Sequence, residues 1–340
     1  MASPGSSKEG CLPPPRTITK EEIPDMAGYL IRRLTTAILV VFGIILVTFL
    51  MLHIIAPSPA ITVLGPKAQP AAIKAWNHAN GFDKPWWDQF ATYLGHLFQG
   101  NLGYSYHLNQ SVTALLTEKA PLSGFLTVAS LALSILVALP LGIYQGVKRN
   151  SFGDIAATSL AMIFYSMPTF LVALVLVQVF ALSLKWVNPN VPQDQTLSGA
   201  LAGWPDLIMP IVALTITAVA SYSRYQRSAA LDVLAQDYIK VARAKGLSER
   251  LVYSRHLVRN ASLPMITLIG LSLPLLIAGN LLVEYTFNIN GLGLLFVNAL
   301  QGYDYNVLMA YTLITAVLTV VGNLIADICL TLSDPRIKLV

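Results

Sequence analysis

The chain of 340 residues is 55% hydrophobic and only 11% charged, with a mean hydropathy of +0.61. A soluble domain carries about 25% charged residues, so this chain lacks the polar side chains to cover a water-facing surface, and the bilayer is its expected solvent. The net charge of +5 raises nucleic acid as a partner until the charges are placed; Cys11 and Cys329, at opposite ends, give neither a disulfide framework nor a metal spacing.

Residues 1–25, with Pro13-Pro14-Pro15, several serines and mixed charge, are expected to form a disordered tail. Met26 is a second candidate start. Six stretches then reach the roughly 20 apolar residues that a membrane helix needs. They are Leu34 to Ile55, Leu122 to Val147, Ile155 to Leu184, Trp204 to Ser223, Leu263 to Tyr285 and Val307 to Leu330. The third is long enough to tilt or project; the fourth is short and contains Pro210; the fifth carries Pro264, Pro274 and Gly279; the sixth contains Asp327. With the N-terminus inside, 17 Lys and Arg fall on the cytoplasmic side and 5 on the outer side. The topology is therefore N-in and C-in. It also disposes of nucleic acid, because the positive charge is a topology signal. Arg32-Arg33 is not an export signal, since the apolar span after it is too long and no small-residue cleavage site follows.

Two loops are too large to be mere connections. The outer loop, about 56–121, holds Trp76, Trp86, Trp87, Phe90, Tyr93, Phe98, Tyr104 and Tyr106. Such a set implies a small folded element on the membrane face or a docking surface, and an interfacial aromatic belt accounts for part of it. In the inner loop, about 224–262, Leu231, Leu234, Tyr238, Ala242 and Lys245 fall at helical spacing, and Gly246 suits a left-handed helix stop. Small residues at Ala242 and Ala244 permit close approach, so a short helix docked in a partner's groove fits. An amphipathic helix lying on the anionic inner leaflet fits the spacing equally.

The run Gln236-Asp237-Tyr238 followed by Ala242-Arg243-Ala244-Lys245-Gly246-Leu247 resembles the cytoplasmic EAA loop of ABC importer permeases, in the form used by the dipeptide/oligopeptide/nickel branch. In order along the chain, Tyr29-Leu-Ile-Arg-Arg33, Asn101-Leu-Gly-Tyr-Ser105, Ser166-Met-Pro168-Thr-Phe170, Arg255-His256-Leu-Val-Arg259-Asn260, Glu284-Tyr-Thr-Phe287, Gly291-Leu-Gly293 and Asp334-Pro335-Arg336-Ile337 carry the same resemblance. The large outer loop is similar to that of the first of the two permeases in such systems. Lys240 replaces the usual acidic leading residue, and Leu263-Pro264 comes later than in sugar permeases.

The resemblance implies an all-α type I importer fold of six transmembrane helices in a bacterial inner membrane. It implies a heterodimer with a second permease, two ATP-binding subunits or one fused ATPase beneath, and an extracytoplasmic substrate-binding protein above. Peptide is the implied substrate; relatives of this kind also pass nickel chelates, glutathione or haem. ATP and Mg belong to the partner subunits, since this chain has no Gly-x4-Gly-Lys-Ser/Thr loop and is expected to be non-catalytic. Asp237, Tyr238, Ala242, Arg243, Ala244, Lys245, Gly246 and Leu247 would form the ATPase-coupling segment. Ser166, Pro168, Glu284 and Asn288 are pore or gate candidates. Trp86, Trp87 and Tyr104 are binding-protein docking candidates.

Other classes leave weaker traces. An ion-coupled carrier would use intramembrane carboxylates such as Glu284 and Asp327, with inverted repeats that are not visible. An intramembrane enzyme would need a base near Ser166. The histidines of the outer loop, His78, His96 and His107, are too scattered for a metal site. A charge facing lipid costs about 2.5–3.5 kcal/mol, so Glu284 either lines the outer gate or hydrogen-bonds the turn of 286–293 or the partner permease.

Overall fold

The computed structural model describes residues 26–55, 58–65, 67–191, 197–272 and 281–333. The expected tail 1–25, the closing motif 334–337 and the Pro274 and Gly279 positions lie outside the described residues.

Helix α1 (Met26–Ile55) is uncharged beyond Arg33 and has no strong polar face. Four short outer elements follow: α2 (Ala60–Leu64), α3 (Pro70–Asn80), α4 (Trp86–Phe98) and an antiparallel hairpin of β1 (Tyr104–Ser105) and β2 (Gln110–Ser111). Helix α5 (Val112–Val147) starts well before the expected Leu122, so the outer loop ends at Ser111 and Pro121 lies inside a helix. Ser111 caps α5 by accepting from Ala114 N at 3.3 Å. Val112, Leu115 and Leu116 are buried against the last helices of the chain, and this packing carries the extra turns. At 36 residues, α5 runs about 54 Å and must project beyond a hydrocarbon core of about 30 Å.

The third expected span is broken. Helix α6 (Phe152–Ser166) and α7 (Thr169–Leu176), which widens into a π-type turn over Val177–Ser183, meet at a 103° bend. The cause is local: Pro168 has no N–H and disfavours helical backbone in the residue before it. Met167 is accordingly extended, at φ −86° and ψ 131°.

After the short α8 (Leu197–Ala202), α9 (Trp204–Leu234) replaces the short fourth span with a helix of 31 residues. It runs past Ser223, so the cytoplasmic loop begins only at Ala235. Helices α5 and α9 form the most extensive helix pair. Gly142 and Gly146 make that possible: a Cβ on Gly142 would meet Gln226 Cβ at 2.5 Å and Ser223 O at 2.7 Å, and one on Gly146 would meet Ala230 Cβ at 2.7 Å. Arg227 of α9 grips Asp154 of α6 with two parallel bonds, 2.8 and 2.9 Å. Asp154 also accepts from Asn150 N at 2.9 Å and Thr158 Oγ1 at 3.2 Å.

The chain continues through α10 (Asp237–Ala244), a helical segment over 249–261, α11 (Leu263–Ser272), α12 (Leu281–Thr286), α13 (Leu292–Gln301) and α14 (Tyr305–Ser333). Among the described residues four uninterrupted helices and the one bent pair are long and apolar enough to cross a membrane. The expected fifth span is described only at its two ends, α11 and α12. Asp327 of α14 pairs with Arg33 of α1, so this intramembrane carboxylate is neutralised between two helices.

The seam makes a prediction. Overpacking a well-filled contact costs roughly 1–3 kcal/mol. Gly142→Leu should therefore lower the melting temperature and yield of detergent-extracted protein, read by fluorescence-detected size exclusion. Gly43→Leu is the control, with nothing within 4 Å of its Cβ; it should leave both unchanged.

Candidate functional site

The cytoplasmic end of α9 stops at Ala235, and Gln236 is extended (φ −71°, ψ 147°) before α10 begins. This break corrects the expected face: Leu231 and Leu234 belong to α9 and do not share a face with Tyr238, Ala242 and Lys245. In α10 the buried residues are Ile239 and Ala242, packed with Leu247, Val252, Val233 and Tyr253. Tyr238 and Val241 are exposed, as are Arg243, Ala244, Lys245 and Gly246.

The end of α10 is a Schellman motif. Gly246 N donates to Arg243 O at 2.9 Å and Leu247 N to Ala242 O at 3.3 Å. Gly246 takes the left-handed conformation (φ +79°) that this closure requires, as its sequence position suggested. Charges on the helix serve local contacts. Lys240 Nζ donates to Asp237 Oδ1 at 2.8 Å, and Arg243 grips Glu249 at 2.8 and 3.1 Å, which holds the Glu249 carboxyl below its usual range. Asn260 Nδ2 donates to the Tyr238 hydroxyl at 3.2 Å. What remains outward, exposed among the described residues, is a mixed face of Tyr238, Val241, Ala244 and Lys245.

At the opposite side, Glu284 is buried, 1% exposed. Its Oε2 accepts from Gly293 N at 2.7 Å, at the first turn of α13, where a carboxylate also answers the positive end of the helix. Ser123 Oγ of α5 accepts from Leu292 N at 2.8 Å. A side chain at Gly291 would displace both hydrogen-bonding groups, because a Cβ would come within 2.3 Å of Glu284 Oε2 and 2.5 Å of Ser123 Oγ. Asn288 turns the chain with φ +52° and lines a surface groove with Phe170, Leu174 and Tyr285. Of the two roles open to Glu284, this geometry supplies the hydrogen bond to the 286–293 turn.

Between these two regions lies a cavity of about 360 Å³ built by α5, α6, α7, α9 and α11. Thr127, Ser130, Thr169, Thr217, Ser221, Tyr222 and Ser272 supply its hydroxyls, and Leu131, Phe164, Tyr165, Met167, Leu214 and Ala218 its apolar wall. The Tyr222 and Ser272 hydroxyls lie 2.8 Å apart. Several hydroxyls donate to their own helix, as Ser130 Oγ does to Thr127 O at 3.0 Å, and each keeps acceptor capacity on its oxygen. Among the described residues no ionised side chain lines the space. A neutral, amide-bearing solute could exchange hydrogen bonds here without meeting a fixed charge.

Ser166 is exposed and donates to Met162 O at 2.9 Å, so it is its neighbours Tyr165 and Met167 that line the cavity. Pro168 contributes the bend. The hydroxyl wall itself was missed in the sequence, although Thr127-Ser130 and Thr217-Ser221 recur at three- or four-residue spacing on apolar helices.

In the outer loop, Trp86 and Trp87 are exposed and meet edge to face at 5.7 Å. One turn on, Phe90 is buried between Phe42 and Phe49 of α1. Tyr104 presents its ring outward while its carbonyl accepts from Asn306 Nδ2 at 2.9 Å. Its neighbour Ser105 bonds the Asp304 carboxylate at the start of α14, and burial raises the pKa of that carboxyl. The 101–105 run thus braces the outer loop on the last helix.

Residues 138–339 match the family described as binding-protein-dependent transport system inner membrane component, and residues 26–127 match the N-terminal family of the same components. The oligopeptide transport system permease protein AppB of Bacillus subtilis is 36% identical over 315 residues, covering 92% of this chain and 100% of the relative. The dipeptide transport system permease protein DppB of Lactococcus lactis is 33% identical, over 92% and 100% of the two chains. The glutathione transport system permease protein GsiC of Escherichia coli K12 is 31% identical, over 92% and 99%. The fold is shared with an inward-facing structure of the MetNI methionine ABC transporter, at 17% identity and a TM-score of 0.52, covering 65% of this chain and 97% of that one.

The buried carboxylate yields a second prediction. Glu284→Gln retains an acceptor for Gly293 N and should melt close to wild type. Glu284→Ala orphans a buried donor, at a cost of about 1–3 kcal/mol, and should melt several degrees lower in a detergent thermal scan. Equal melting of the two variants would remove the structural role.

Proposed function

Because the chain belongs to the family of inner membrane components of binding-protein-dependent transport systems, we propose that it is a pore-forming permease subunit of an ATP-driven peptide importer in a bacterial inner membrane. The observation that carries this reading is that one helix, α9, contributes both to the wall of the hydroxyl cavity and to the support of α10, whose outward face is exposed among the described residues.

In this reading α10 and the Gly246 stop seat in a groove of an ATP-binding subunit, and the partners hold ATP and Mg. There are two such subunits or one fused ATPase. A second permease completes the pore, and an extracytoplasmic substrate-binding protein delivers the substrate near the outer loop. Closure of the ATPases pulls on α10, and α9 carries the displacement to the cavity. The chain itself transports and does not catalyse a reaction.

Peptide is favoured over nickel chelates or haem by the cavity, whose uncharged hydroxyls suit backbone amides. Among the described residues no cluster of three His, Cys, Asp or Glu stands ready for a metal. An ion-coupled carrier is disfavoured because Asp327 is paired with Arg33 and Glu284 binds Gly293 N. The N-terminal family match begins at residue 26, which supports residues 1–25 lying outside the transport unit.

Proteoliposomes holding the full complex test the reading. Uptake of labelled di- and oligopeptides should require ATP and the binding protein, and should persist when ionophores collapse proton and sodium gradients. Gly246→Glu should abolish that uptake while membrane insertion survives, because a side chain in the left-handed region costs roughly 1–2 kcal/mol and bulk is added to a partner contact. Gradient-driven uptake without ATP, or normal transport by the variant, would overturn the proposal.

A further inference from the structure

The cytoplasmic part of α9 carries two arginines one turn apart, and their surroundings differ. Arg227 is neutralised by the double bond pair to Asp154. Among the described residues Arg224 has no carboxylate partner, and its guanidinium instead lies over the Tyr165 ring, 4.5 Å from the centroid. Tyr165 lines the cavity from α6, and Ser221 and Tyr222 line it from the turn of α9 just before Arg224. The cation therefore stands at the cytoplasmic edge of a space that otherwise offers only hydroxyls and apolar carbon.

Stacking occupies the face of a guanidinium and leaves its in-plane N–H groups free to grip a carboxylate with two parallel bonds. The ring contact also restricts the rotamers of the arginine, which lowers the entropy lost on binding. We propose that Arg224, held by Tyr165, is a specificity residue that takes the C-terminal carboxylate of a short peptide at the inner mouth of the cavity. This inference rests on the peptide-importer reading. Its chemistry is sharper: a free α-carboxylate should be favoured over an amide at this site, independently of what the binding protein selects outside.

The test uses the complete permease–ATPase complex in nanodiscs, nucleotide-free and without the binding protein, so that selection by the delivering protein is absent. Binding of Ala-Ala-Ala and of its C-terminal amide is followed by saturation-transfer NMR. The wild type should bind the free acid roughly tenfold more tightly than the amide, the scale of a charge-assisted bidentate pair. Arg224→Gln should erase that difference by weakening the acid alone, and Arg224→Lys should restore part of it. Should Arg224→Gln fail to assemble, Tyr165→Leu keeps the cation but frees it, and the acid preference should fall several-fold. Equal affinity of acid and amide in the wild type, no detectable binding of either, or an unchanged preference in Arg224→Gln would each overturn the assignment. A change confined to co-purified anionic lipid would overturn it too, and would give Arg224 to the membrane surface. ATP-driven uptake of Ala-Ala-Ala by the same wild-type preparation separates the two levels: without it the importer reading fails, and with it only the role of Arg224 is at stake.

Discussion

The close approach of α5 and α9 at Gly142 and Gly146 is the contact on which the remaining geometry rests. In a bilayer apolar side chains gain nothing by leaving lipid, so helix pairs associate through small residues, close packing and polar contacts. Both glycines meet the backbone or Cβ atoms of α9 at distances that admit no side chain. That seam sets Thr127 and Ser130 of α5 opposite Leu214 and Thr217 of α9, and so fixes two walls of the cavity. Arg227 and Asp154 extend the same union to α6 near its cytoplasmic end. The helix that lines the cavity thereby becomes a stiff rod whose far end leads into α10.

Irregular backbone at membrane depth is tolerated only where protein or a cavity surrounds it. The break at Met167-Pro168 obeys this rule, with Met167 and Thr169 facing the hydroxyl space. The turn of 286–293 obeys it differently, by internal satisfaction: Glu284 and Ser123 cap the amides of Gly293 and Leu292. Both carboxylates that an ion-coupled mechanism would have used are engaged in holding helices together.

Much of this was legible in the residues because lipid imposes one dominant rule. Apolar runs marked the spans, the positive charges marked the inner face, and Gly246 marked a left-handed stop. Helix lengths were not legible, since α5 gains its first turns by packing Val112 and Leu115 against α13 and α14, and α9 crosses the polar residues after Ser223 without a local break signal. The 103° bend had a visible cause in Pro168, but Pro121 and Pro210 are tolerated inside helices, so composition alone did not separate them. The partner of Glu284 and the cavity hydroxyls depend on long-range juxtaposition. Leu231 and Leu234 were grouped with α10 because periodicity ran through Gln236, where the backbone in fact breaks.

In the proposed importer the outward face of α10 is the seat of an ATP-binding subunit. The direct measurement is the maleimide labelling rate of a cysteine at Val241, exposed on that face, in a variant with Cys11 and Cys329 replaced by serine. The rate should fall at least tenfold when the ATP-binding subunits assemble with the permease. An unchanged rate in the assembled, ATP-hydrolysing complex would contradict it.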